Sequence, residues 1–110
     1  MSKAVQLARS AERDLRRMGS GPERTRILRA LTETLEAEPT PANADIKPLV
    51  GAEPWLRLRV GDWRVIYRPL TIEERRATTL PSEADTADEV YLVARIVTCR
   101  ELERAVDHLL

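Results

Sequence analysis

The chain has 110 residues, with 18 basic and 18 acidic side chains, a formal net charge of zero and 43% hydrophobic content. That length bounds it to one domain, residues 1–110, with a real but modest core, and the apolar fraction excludes a disordered chain. Zero net charge argues against a protein that coats nucleic acid indiscriminately, and no apolar run approaches the roughly 20 residues that span a bilayer.

Residues 3–8 read two ways. Ala4, Ala8, Ala11 and Leu15 extend a helical stripe to the start of the chain, whereas Val5 and Leu7 alternating with Gln6 suit a short edge strand. Periodicity slightly favours helix. Residues 10–18 read as a helix with Ser10 as N-cap and Ala11, Leu15 and Met18 at helical spacing. Gly19-Ser20-Gly21-Pro22 then breaks the chain, a C-cap glycine followed by a proline at the first turn of a new helix. The spacing predicts that helix over 22–37, with Ile27, Leu28, Leu31 and Leu35 buried and Arg24, Arg29, Glu33 and Glu36 outward. The two helices make an αα-hairpin, and 40–48 reads as a loop.

Residues 55–68, W-L-R-L-R-V-G-D-W-R-V-I-Y-R, alternate apolar and basic side chains on both sides of Gly61-Asp62. Such a pattern predicts a two-residue β-hairpin in which Val60 pairs with Trp63 and Arg59 with Arg64. Leu58 then pairs with Val65, Arg57 with Ile66 and Leu56 with Tyr67. One face holds Leu56, Leu58, Val60, Trp63, Val65 and Tyr67; the other holds Trp55, Arg57, Arg59, Arg64, Ile66 and Arg68. Like charges placed opposite one another repel, so the arginine face looks prepared for an anion. Charge is unevenly spread around it. Residues 46–68 carry five basic side chains against two acidic, and 69–89 carry two basic against six acidic.

Residues 71–88 read as a long polar connection. Residues 90–98 form the strongest strand by β-branched content, nearly continuously apolar and so expected in an interior position covered on both faces. A final helix over 100–110 presents Leu102, Val106 and Leu109. Helices on one face of a small antiparallel sheet of about four strands make an α+β domain. The single cysteine, Cys99, permits no internal disulfide, which fits a reducing cytoplasm, as does a start without a long apolar segment. Cys99 is expected to be buried or partly buried.

At this point the residues resemble the RelE/ParE toxin superfamily. Ser10-Ala11-Glu12-Arg13-Asp14-Leu15 looks like its first helix and the helical hairpin like its second. Lys47-Pro48-Leu49-Val50-Gly51 followed by 55–67 is similar to its lysine-leucine-glycine loop and arginine-rich paired strands. Residues 93–100 look like its last strand with a terminal basic residue, and 70–89 carry extra length. The resemblance tips 3–7 from helix to strand. It implies the toxin of a bacterial type II toxin–antitoxin system, neutralised by a cognate antitoxin in a hetero-oligomer. RelE-like members cut mRNA on the ribosome, ParE-like members inhibit DNA gyrase, and a non-catalytic member would act only as a protein partner. The leading expectation is the ribosome-dependent mRNA endonuclease.

For that chemistry the resemblance assigns Arg57, Arg59, Arg64 and Arg100 to phosphate, a task guanidinium forks suit; the alternative is a solvated sheet face, or pairing with acids in the loop 69–89. Lys47 and Arg68 extend the RNA phosphate-binding set. Arg64 and Arg100 double as transition-state stabilisers, with His108 as the candidate proton-transfer group. The family's terminal tyrosine is replaced by Val106. Tyr67 and Tyr91 are expected to be packed. Trp55 either stacks on a base or packs on the loop at 47–49. No metal-ligand spacing and no glycine-rich phosphate loop occurs, so neither metal nor cofactor is expected. The acidic loop 69–89 is a candidate cover for the basic face.

Overall fold

The structure is a computed structural model that describes residues 2–77 and 87–109. In chain order it has β1 (Lys3–Leu7), α1 (Arg9–Met18), α2 (Pro22–Ala30), a π-helical turn (Leu31–Leu35), β2 (Ile46–Pro48), β3 (Leu56–Val60), β4 (Trp63–Pro69), α3 (Ile72–Ala77), β5 (Glu89–Thr98) and α4 (Leu102–Asp107). The five strands form one sheet ordered β1-β5-β4-β3-β2. β1 runs parallel to β5, and the other neighbours are antiparallel. The α+β class therefore holds, and residues 3–7 are strand: pairing with β5 along the whole of β1 outweighs the helical stripe.

The β3–β4 hairpin has the register that alternation demands, from Val60 opposite Trp63 to Leu56 opposite Tyr67. Gly61 takes φ 61° at its turn, a backbone conformation glycine adopts at little cost. Tyr67 continues onto Val93 while Ile66 faces Arg95, so Ala94 is an extra residue in β5. That bulge explains the apolar run in β5. Val93 and Ile96, an odd number of residues apart, both enter the same core, and Val97 enters the other.

Two apolar layers flank the sheet. On one face α1 and α2 bring Ala11, Leu15, Ile27, Leu31 and Leu35 onto Leu58, Val65, Tyr67, Val93 and Ile96. On the other, α4 brings Ala105, Leu102, Val106 and Leu109 against Ile66 and Val97, with Leu49 and Trp55 beside them. Tyr67 and Tyr91 are packed edge to face at 5.6 Å and 84°.

Several expectations are corrected. The sheet is mixed rather than antiparallel, because β1 runs parallel to β5, and helices cover both faces rather than one, because α4 packs on Ile66 and Val97. α1 starts at Arg9 with Ala8 at the cap and no side-chain cap bond, because the Ser10 hydroxyl donates to the Ala94 carbonyl at 2.5 Å. The regular part of α2 ends at Ala30. There the Glu36 amide bonds the Leu31 carbonyl at 3.0 Å, an i→i+5 bond. The wider turn keeps Leu31 and Leu35 in line on the core and leaves Leu28 37% exposed. The expected loop at 40–48 contains edge strand β2, so the sheet has five strands rather than about four. The expected polar connection contains α3, begun by a reciprocal capping box: the Glu74 amide donates to Thr71 Oγ1 and the Thr71 amide to Glu74 Oε1, both at 3.1 Å. Cys99 is exposed, since it follows the end of β5 and only its amide is tied down, to the Asp62 carbonyl. Residues 78–86 of the candidate cover lie outside the described residues.

Candidate anion-binding face of the sheet

Cross-strand register sorts the basic side chains into rows. Lys47 lies opposite Arg57, Arg57 opposite Ile66 and Ile66 opposite Arg95. The next row runs Arg59, Arg64, Val97. This is the face on which α4 sits, so its apolar centre (Ile66 and Val97) is roofed and the cations form a rim around it.

The rim is already partly neutralised. Arg57 Nη1 donates to Asp45 Oδ1 at 3.3 Å, with 17% of the arginine side chain exposed. Arg59 stands 3.9 Å from the other Asp45 oxygen and keeps 57% of its side chain in solvent. Arg64 folds back on the turn, Nη1 donating to the Gly61 carbonyl at 2.9 Å and to the Trp63 carbonyl at 3.0 Å. Arg68 forks onto both oxygens of Glu74 and lies 5.3 Å from the centre of the Trp55 ring. That hydrogen bond, then its attraction to the carboxylate, raises the Arg68 pKa, and it holds the Glu74 carboxyl down at about 2. Trp55 is thus packed against the second core with the Arg68 guanidinium over its ring, and its carbonyl accepts from the Leu49 amide of the loop at 3.0 Å.

The three groups named for catalysis lie on different elements: Arg64 on β4, Arg100 after β5 and His108 at the end of α4. Arg100 is exposed beyond the end of β5. His108 is exposed at the C-cap of α4, its Nδ1 2.8 Å from the Arg104 carbonyl. It lines a hollow of about 100 Å³ with Arg95, Val97, Glu101, Arg104 and Ala105. Among the described residues no hydrogen bond or ion pair joins Arg64, Arg100 and His108. Tyr67 and Tyr91 are each pushed up to about 12 by burial, Tyr91 also by its bond to Glu89, so both stay neutral phenols. What the face offers is the exposed rim cations Lys47 and Arg59, with Arg100 exposed beyond the end of β5, each able to take phosphate or carboxylate oxygens.

Pairing of the arginines with acids of the loop 69–89 was an open alternative and Arg68 with Glu74 realises it, whereas Asp45 was missed. Asp45 reaches Arg57 only because β2 pairs with β3, a contact no local pattern shows. Glu74 was accessible through the Thr71-x-x-Glu74 spacing, the capping-box signature.

Residues 5–80 match a family model described as the ParE toxin of type II toxin–antitoxin system, parDE. No curated protein matches the chain. Among solved structures it is similar to the crystal structure of the RelB–RelE antitoxin–toxin complex from Methanococcus jannaschii, with a TM-score of 0.52 and 16% identity over 92% of this chain and 98% of that one. At that identity the likeness is one of fold.

Proposed function

Because the chain belongs to the ParE toxin family of type II toxin–antitoxin systems, we propose that it is a toxin masked by a cognate antitoxin in the cytoplasm, and that it poisons by gripping a target, as ParE-like members grip DNA gyrase, rather than by cutting RNA. The observation that carries this reading is the state of the arginines. RNA cleavage asks for guanidiniums free to meet the charge that grows on phosphate, beside a group that moves a proton. Here Arg57 and Arg68 are held by Asp45 and Glu74, and Arg64 is held by its own turn. The remaining exposed cations are dispersed around a roofed centre, a layout suited to matching acidic side chains over a broad protein contact.

One observation favours the ribosome-dependent mRNA endonuclease as a second reading. Arg59 and Arg64 face each other across the hairpin, at positions the resemblance assigns to phosphate.

Induced expression separates the two. The first reading expects filamentous cells, DNA-damage signalling and intact transcripts, with supercoiling by purified gyrase inhibited and that inhibition weakened by Arg59→Ala. Translation arrest with transcripts cut at ribosomal codons, relieved by Arg64→Ala or Arg100→Ala, would overturn it in favour of the second. Normal growth and active gyrase would remove both.

A further inference from the structure

We propose that the cleft between α1 and the end of β5 is a second anion site, which takes Arg95 from the end of the sheet-face row but none of the rim cations Lys47, Arg57, Arg59, Arg64 or Arg68, and that it binds a phosphate group. β1 ends at Leu7, opposite Val93, while β5 continues to Thr98. Beyond that point the open edge of β5 is completed by α1. The Ile96 amide donates to Asp14 Oδ2 at 2.8 Å, and the Ala94 carbonyl accepts from Ser10. Asp14 also takes Arg95, Nε at 2.9 Å and Nη2 at 3.2 Å. Only 7% of Asp14 is exposed, so its charge is spent inside the fold.

Among the described residues no ion pair compensates the outer ridge of α1. Arg9, Arg13 and Arg17 recur every four residues and are all exposed. Like charges at that spacing destabilise a helix, and a bound anion reverses the sign of the interaction. Arg13 and Arg17 line a cleft of about 180 Å³ together with Ser10, Asp14 and Arg95. On the order of 10–15 Å³ of such space admits a water, so a phosphate with part of its hydration fits. Three guanidiniums against one carboxylate leave two positive charges, which matches the charge of roughly −1.5 to −2 on a terminal phosphate. Arg95 is rigid, clamped by Asp14 and with Nη1 unengaged among the described residues, while Arg13 and Arg17 can close from solvent. None of Lys47, Arg57, Arg59, Arg64 or Arg68 lines this cleft. The proposal therefore stands whichever target the toxin has.

Nitrogen-15 spectra of the full chain test it, with inorganic phosphate and a short single-stranded RNA titrated separately. Saturable shifts are expected at the Ile96 amide and the Arg95 side chain. Arg13→Gln/Arg17→Gln, at two exposed positions and so expected to melt like the parent, should weaken binding by at least about tenfold, as loss of two charge-assisted contacts implies. Saturation by phosphate alone identifies a small-anion site, and saturation by RNA at far lower concentration identifies a backbone phosphodiester; either supports the proposal. It is overturned if neither titrant saturates, if the shifts survive the double substitution, or if Arg59→Gln/Arg64→Gln abolishes them equally.

Discussion

Asp14 is the buried charged side chain among the described residues, and three donors converge on it: two nitrogens of Arg95 and the Ile96 amide. Asp14→Ala would strand a buried backbone N–H and leave Arg95 without its counter-ion, a loss of about 3 kcal/mol, whereas Asp14→Asn keeps an acceptor and should cost less. Urea denaturation of the two variants checks that ordering. Glu74 makes a prediction in pH. Its carboxyl is held at about 2, against an ordinary 4.5, first by Arg68 and then by the Thr71 amide. A depressed carboxylate stabilises the fold above its unfolded pKa, and the contribution is lost as pH falls from 4.5 through 2. Glu74→Gln should flatten stability across that window, seen as a smaller drop in thermal midpoint on acidification. Neither residue was singled out from the sequence, because a carboxylate's partners depend on which strand ends beside which helix. The arginines were legible through their alternation, and pairing with acids of the loop 69–89 was an open alternative, but which acid meets which arginine was not legible.

At the scale of elements, what was readable is what closes locally. The β3–β4 hairpin follows from a two-residue turn and period-two alternation, and its pairing is as the pattern requires, down to Arg59 opposite Arg64. β2 is three residues long and exists only by pairing with β3, so no periodicity marks it. In the second helix, apolar residues at four-residue spacing looked like one continuous helix. The π-helical turn keeps Leu31 and Leu35 inward and turns Leu28 out, which separates two adjacent side chains sharply: Ile27 is 0% exposed and Leu28 is 37%. Ile27→Ala should therefore cost roughly 2–5 kcal/mol, in the range for emptying a closed aliphatic site, and Leu28→Ala less than about 1 kcal/mol. Denaturation midpoints for the pair check the assignment; similar costs would mean that Leu28 shares the core.

At the scale of the molecule, one sheet carries two unequal layers. The α1–α2 layer is joined to it by ten buried residues, while the α4 layer rests on Ile66, Val97 and Ala105. α4 has six residues, fewer than an isolated helix needs to hold itself in water. The long-range arrangement that sets this inequality, a parallel β1 beside β5 and a helix roofing the arginine face, was not legible in any local pattern; likeness to a family supplied only that residues 3–7 form a strand. It implies that α4 opens without the rest. Native proteins lose their peripheral units at a fraction of the global unfolding free energy, which is about 5–15 kcal/mol for a domain. An opening cheaper by about 3 kcal/mol raises exchange by more than about a hundredfold. The Ala105 amide, bonded to the Glu101 carbonyl at 3.0 Å, should therefore exchange with deuterium at least that much faster than the amides of β4, which lies between two strands. Each opening bares Ile66 and Val97 beside Arg64, adding an apolar centre to the cationic rim that is proposed to grip a target. If Ala105 were protected as well as β4, the helix would be an integral part of the cooperative unit, and the rim alone would have to do the gripping.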